Sequence, residues 1–253
     1  MKYQFSPKEL VQGLSSEEMG LTFTTVKRLE ITKNQSIKVQ SGEEELCLFV
    51  ITGKVNFELG SKRDCIEFLD SIYLPRRSEI MLESIEKAVI MQFGAPVDID
   101  TNFALIKHSN VSQSTELSKV FGSKEINSYR NVYNYIDDKF NASRLMVGVG
   151  IGQTGGWTVW PPHEHTEKRE EVYCYFGMGD GFGIQCIYED LKTPLYLGIV
   201  KDGDLISVPR GYHPNVGCPA SPINYIYVMC AKNPGERNFM DLSIQKEFGT
   251  ELK

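Results

Sequence analysis

Helical periodicity is scarce along this chain, whereas short β-rich runs bounded by Gly, Pro, Asn or Asp recur throughout. They include LCLFVITGKVNFELG, SIYLPRR, KAVIMQFGAP, RLMVGVGIG, EVYCYF, GFGIQCIY and INYIYVMCA. Runs of that length, rich in β-branched and aromatic residues, pack as strands, and their regular punctuation points to an all-β sandwich or barrel. Only residues 5–19 and 114–120 read as mildly helical, and the polar stretch SNVSQSTELS at 109–118 reads as a connector. A chain of 253 residues has room for two domains of ordinary size, and that connector divides it into residues 1–112 and 113–253. The halves share an outline: LFVITGKVNFELG precedes YLPRRSEI in the first, and EVYCYFGMGDGFGIQC precedes DLISVPRGYH in the second. Each reads as a strand, a glycine turn, a returning strand and a later strand ending in Pro-Arg, which points to two related β-barrels in tandem.

Composition narrows the function classes. An apolar fraction of 41% and a charged fraction of 24% match packed globular domains and exclude long disorder. A net charge of −6 without a basic run removes the electrostatic footprint of a nucleic-acid binder. No window approaches the roughly 18 uncharged apolar residues of a membrane span, and the opening MKYQFSPKELVQ lacks a signal-peptide core, so a cytoplasmic protein is expected. The six cysteines (Cys47, Cys65, Cys174, Cys186, Cys218, Cys230) form no C-x-x-C pair and read as reduced thiols, mostly buried. Glu43, Glu44 and Glu45, just ahead of the first long strand, read as a solvated edge that discourages strand-to-strand aggregation.

The histidines carry the chemistry. Of four, three (His163, His165, His213) fall in two short segments that are also rich in Gly, Pro and acidic residues. If WPPHEH is extended, His163 and His165 project from one face about 7 Å apart, a workable spacing for two ligands of one ion. A carboxylate follows in EKREEVYCYF, and His213 returns about 50 residues later in GDLISVPRGYHPNVG. Three imidazoles and one carboxylate suit a borderline divalent ion, with Zn or Mn expected first. The remaining histidine, His108 in LIKHSN, reads as an ordinary polar residue. The first half has no histidine in its equivalent strands and is expected to bind no catalytic metal.

H-x-H, a glutamate ahead of EVYCYF and G-D-x-x-x-x-P-R-G-x-H together resemble the two cupin motifs. Beyond that, GGWTVWPPHEHTE, EEVYCYF, GFGIQCIYED, DGDLISVPRGYHPNVGCP and SYRNVYNYI followed by SRLMVGVGI are similar to stretches of the 5-deoxy-glucuronate isomerases of inositol catabolism. Those enzymes are related to the 4-deoxy-5-ketouronate isomerases of pectin breakdown. The resemblance implies two tandem cupin barrels of the jelly-roll kind, one metal in the second, and interconversion of an aldehyde-ended and a ketone-containing deoxy sugar acid. Glu170 keeps the usual gap after His165, but the cupin ligand normally abuts the following strand, so the resemblance favours Glu171, with Tyr173 and Tyr175 sharing its face. These phenols are candidates for orienting hydroxyls or passing protons, Arg130 and Arg210 for holding the substrate carboxylate, and Gln185 for a further substrate contact. The resemblance favours conversion of 5-deoxy-glucuronate to 5-dehydro-2-deoxy-gluconate; the 4-deoxy-5-ketouronate isomerase reaction, a metal-dependent dioxygenase on the same fold and a non-catalytic sugar-acid binder are the competing functions. Two barrels in one chain also allow a homo-oligomer.

Overall fold

The computed structural model describes residues 1–165 and 167–252. Each half is a pair of facing sheets. In the first half the larger sheet carries Ala104–Ile106, Ser71–Leu74, Glu44–Thr52, Ala88–Pro96 and Thr25–Ile31 in spatial order. It faces a sheet ordered Ser36–Gln40, Glu79–Ser84, Lys54–Leu59, Lys62–Glu67. In the second half the larger sheet runs Gln4–Phe5, Leu205–Val208, Arg169–Tyr175, Asn224–Ala231, Leu145–Gly152, Arg130–Ile136, Ser118–Phe121. Its partner sheet runs Trp157–Thr158, Asn215–Gly217, Gly183–Ile187, Tyr196–Val200. The fold is thus all-β, as the strand punctuation predicts. The connector lies between Ala104–Ile106, which pairs within the first half, and Ser118–Phe121, which pairs within the second. Gln4–Phe5 crosses over and pairs with Leu205–Val208, so the chain's first residues close the edge of the second half's sheet.

The continuous apolar runs have a physical cause. A strand buried on both faces needs apolar residues at every position rather than at alternate ones. Along Glu44–Thr52, Leu46, Leu48 and Val50 fill the interior of the first sandwich, while Cys47, Phe49 and Ile51 face the other way. There they join Val172, Cys174, Phe176, Ile226 and Val228 of the second half in a core shared by both sandwiches. Tyr173 and Tyr175 point into the second sandwich's own interior.

Two buried carboxylates brace that shared core. Glu45 accepts from the backbone N–H groups of Ser143, Arg144 and Leu145 at 2.8, 2.6 and 2.8 Å and from the Tyr73 hydroxyl. Glu170 accepts from the N–H groups of Thr22, Phe23 and Thr24 at 2.7, 2.9 and 2.7 Å and from the Thr24 hydroxyl at 2.8 Å. Each reaches out of its own sandwich and satisfies backbone donors where the halves meet, as buried polar groups must. The acidic triplet is therefore not a solvated edge: Glu43 is exposed beside Arg77, Glu44 is half-buried, and Glu45 is fully buried.

Local details differ from the sequence expectation where tertiary pairing overrides propensity. The helix expected over 5–19 is confined to Pro7–Gln12, ended by Gly13 at a φ of 83°. The one expected over 114–120 lies earlier, at His108–Gln113, because Ser118–Phe121 pairs with Arg130–Ile136 as an edge strand. All six cysteines are free, four of them buried. Among the described residues no helix is long and apolar enough to cross a membrane.

Candidate metal centre

His163 stands on the two-residue strand His163–Glu164, whose sheet partner is Ser243–Ile244. His165 follows two residues later and projects the same way. His213 lies on the connection from Leu205–Val208 to Asn215–Gly217, two residues after Gly211, whose φ is 90°. A Cβ at Gly211 would also lie 2.8 Å from the Tyr188 carbonyl oxygen, so glycine makes this approach possible. The three rings form a near-equilateral triangle with centroid separations of 5.2, 5.2 and 5.4 Å. One ligating atom from each lies within 4.8 Å of the others. Glu171 Oε2 completes the cluster, 3.2 Å from His165 Nε2 and 3.1 Å from His213 Nε2.

Hydrogen bonding sets the rings. His163 Nδ1 lies 3.0 Å from the Pro161 carbonyl and His213 Nδ1 lies 2.8 Å from the Gly211 carbonyl. Donating there orients each ring and leaves its Nε2 as an acceptor, the arrangement that outer contacts impose on metal-bound histidines. His213 Nε2 then faces a carboxylate oxygen at 3.1 Å and, buried, has no hydrogen-bond partner. Two acceptors confronting each other out of water are unfavourable, and a cation between them relieves the conflict. Burial, reinforced by the neighbouring imidazoles, pulls His163 well below the usual histidine range, and burial lowers His165 as well. Burial alone would raise the Glu171 carboxyl, but the His165 and His213 imidazoles, 3.2 and 3.1 Å away, outweigh it and hold the group below its ordinary value. Neutral imidazoles beside an ionised carboxylate are the donor set a divalent ion takes, so the residues fit a metal.

The register places the two adjacent glutamates on opposite faces. Glu171 lies opposite Val208 and points into the second sandwich, whereas Glu170 points into the shared core. The same register explains the first half. Leu46 pairs with Leu74 just ahead of Pro75-Arg76, as Glu171 pairs with Val208 just ahead of Pro209-Arg210. Leu46 therefore occupies the position of the carboxylate, and the surrounding interior is aliphatic, with Leu48, Ile72 and Ile90 among its members.

A small cavity of about 40 Å³ opens over the triad, walled by Arg130, Tyr173, Tyr225, Tyr227 and, from the C-terminal segment, Phe239 and Leu252. Arg130 is 4% exposed; its Nη1 and Nη2 donate to the Ser128 and Trp160 carbonyls at 3.2 and 2.8 Å. Among the described residues no carboxylate forms an ion pair with it, and its guanidinium is held by these carbonyls and by the Phe121 ring, 5.4 Å away. Tyr173 packs 5.8 Å from the His213 ring, and burial, reinforced by the nearby Glu171 charge, raises its phenol well above the usual range.

The other candidates lie elsewhere. Tyr175 donates to Gln185 Oε1 at 2.5 Å, and Gln185 Nε2 donates to the His213 carbonyl at 2.7 Å. Both belong to a buried network under the cavity that anchors the His213 segment. Arg210 is exposed on the surface, 3.6 Å from Glu189, and does not line the cavity. His108 is an ordinary partner of Tyr135, at 2.6 Å. Tyr225 and Tyr227 were not singled out from sequence, yet a signal was present. They are the direct cross-strand partners of Gly150 and Gly148, and a Cβ at either glycine would overlap the facing phenol. G-V-G opposite Y-I-Y is a sheet clearing space for two rings.

Paired jelly-roll sandwiches with a three-histidine, one-glutamate cluster in one of them define a cupin-fold protein. The comparisons carry this further: the chain belongs to the KduI/IolB family, whose description matches residues 1–245. It is 26% identical over 237 residues to a 5-deoxy-glucuronate isomerase of Geobacillus kaustophilus, covering 87% of this chain and 83% of the relative. It is 25% identical over 236 residues to the Bacillus subtilis protein of that name, covering 86% and 84%. Among solved structures, an IolB-like protein of Salmonella typhimurium superposes with a TM-score of 0.84 at 20% identity, over 98% of each chain. Bacillus subtilis oxalate decarboxylase, a protein with Mn(II) centres, shares the fold at a TM-score of 0.63 and 11% identity, over 90% of this chain and 76% of that one. The protein is accordingly an enzyme of an aldose–ketose isomerase family.

Proposed function

We propose that this enzyme is a metal-dependent isomerase that converts 5-deoxy-glucuronate to 5-dehydro-2-deoxy-gluconate. One observation carries the reading: an ionised Glu171 and three convergent imidazoles share a cavity with Arg130, a buried cation that lacks a carboxylate. A divalent ion bound by His163, His165, Glu171 and His213 supplies Lewis-acid polarisation of a carbonyl. Arg130 receives the substrate carboxylate through a charge-assisted contact and fixes which end of the sugar faces the histidines. Tyr173 stays protonated at neutral pH, so it acts as a hydrogen-bond and proton donor to a substrate oxygen rather than as a base. Tyr225, Tyr227 and Phe239 exclude water, which strengthens these electrostatic contacts. The names of the relatives support the substrate, and the donor set supports the metal.

The test is proton NMR of enzyme loaded with Zn or Mn and mixed with 5-deoxy-glucuronate or 4-deoxy-5-ketouronate. Loss of the aldehyde signal from the first alone is expected. No turnover of either compound, or oxygen consumption accompanying turnover, overturns the proposal.

A further inference from the structure

We propose that Val159, together with Val132, makes the enzyme selective for a methylene beside the substrate carboxylate and excludes uronates that carry a hydroxyl there. The inference rests on the function proposed above and deepens it. In open-chain 5-deoxy-glucuronate the aldehyde and the carboxylate stand at opposite ends; three hydroxylated carbons follow the aldehyde, and the methylene adjoins the carboxylate. With the aldehyde at the histidines and the carboxylate at Arg130, the deoxy carbon lies next to the guanidinium. The inward rows of the larger sheet run in the same order. Glu171 stands in one, Tyr173 in the next, Tyr225 and Val132 share the third, and Arg130 and Phe121 share the fourth. Phenols thus serve the hydroxylated middle of the substrate. Beside the guanidinium the walls are hydrocarbon: the Phe121 ring, and Val132, 5% exposed and on the same face of the strand two residues along.

Val159 closes that corner from the end of Trp157–Thr158, an edge strand of the partner sheet. The carbonyl of its chain neighbour Trp160 accepts from Arg130 Nη2, and Val159 itself is 4% exposed, shares an apolar cluster with Val132 and walls the cavity. Its φ is 54°, in the left-handed region where glycine and asparagine are common and a β-branched residue is an outlier. Strain of this kind persists only where the surrounding structure imposes it, and it gathers at ligand contacts. Glycine would relieve the backbone and leave a gap; asparagine would relieve it and bring a polar group to the cavity wall. Valine keeps the strain and keeps the wall apolar. A hydroxyl pressed against that wall loses its water and gains no partner.

Steady-state kinetics of the full-length, metal-loaded enzyme with 5-deoxy-glucuronate and with glucuronate test this. The wild type should favour the deoxy compound by about a hundredfold in kcat/KM, the scale on which an apolar pocket rejects an added hydroxyl. Val159→Thr keeps the side-chain shape and adds a hydroxyl, so it should lower that ratio about tenfold with metal content unchanged. Glucuronate also closes a ring through its extra hydroxyl, but that equilibrium belongs to the substrate and cancels when variant and wild type are compared. A merely structural valine predicts equal losses on both substrates, so a ratio unmoved in Val159→Thr overturns the proposal. Should that variant fold poorly, Val132→Thr decides from the other wall: a lowered ratio supports the selectivity and an unchanged one refutes it. A wild type that converts both uronates equally well overturns the selectivity alone. One that converts neither overturns it together with the function on which it rests.

Discussion

Glu170 and Glu171 are adjacent carboxylates with opposite surroundings, and replacing each by glutamine separates folding from metal binding. Glu170 is 1% exposed and accepts four hydrogen bonds from residues 22–24. In Glu170→Gln an amide NH₂ replaces one oxygen. If it takes the place of Oε2, it confronts the Thr22 N–H and leaves that donor unsatisfied, while the other three bonds lose their charge assistance. With about 1–3 kcal/mol for a stranded buried donor and about 1 kcal/mol for each of the three weakened bonds, the loss is about 4–6 kcal/mol. For a chain of this size that lowers Tm by about 8–24 °C. Metal content should not change, because Glu170 points away from the imidazoles. Glu171→Gln should do the reverse. It weakens divalent metal binding by about two orders of magnitude or more, yet leaves the metal-free Tm at or above the wild type, because the new amide can donate to His213 Nε2. Thermal melts of chelator-treated protein, paired with elemental analysis after reloading, read both effects. A Glu170→Gln variant that loses metal at an unchanged Tm, or a Glu171→Gln variant that binds metal normally, refutes the register on which the site is built.

Four further outcomes follow from the same geometry. Arg130→Met should raise KM about 30- to 100-fold with metal content intact, measured by steady-state kinetics and elemental analysis, since it removes a charge-assisted contact to the carboxylate. Gly150→Ala should cost about 2 kcal/mol, a Tm fall of about 4–8 °C, because its Cβ overlaps the Tyr225 ring; an unchanged melt would show that the ring yields freely. Residues 113–253 expressed alone should aggregate, since Val147, Val172, Ile226 and Val228 lose their cover and the Gln4–Phe5 strand is missing; a soluble, active fragment would contradict the shared core. A cavity of about 40 Å³ holds only a few water molecules, so Phe239 and Leu252 must withdraw to admit a sugar acid. Amides of 243–245 should then exchange about a hundredfold faster than those of 226–230, and equal protection would argue against that opening.

The strand pattern and the cluster of histidines were legible in the sequence because both are local properties. Alternation, glycine punctuation and the i, i+2 spacing of His163 and His165 are set by the backbone repeat of a strand, which any pleated sheet preserves. The same holds for the return of His213 behind a Pro-Arg-Gly turn. What the sequence did not determine is which partner each face meets. Glu45 reads like its exposed neighbour Glu43 until the second half is docked against it, and it then satisfies three backbone donors in the shared core. Arg130 and Arg210 were equal candidates on paper. Only the packing buries one beside the imidazoles and leaves the other in water beside Glu189. Gln185 and Tyr175 lie on strands whose inward faces meet beneath the cavity, so they support His213 instead of lining the site. Local chain geometry selects residue types and spacing, whereas burial and counter-charge arise from segments about a hundred residues apart and exist only once those segments pack.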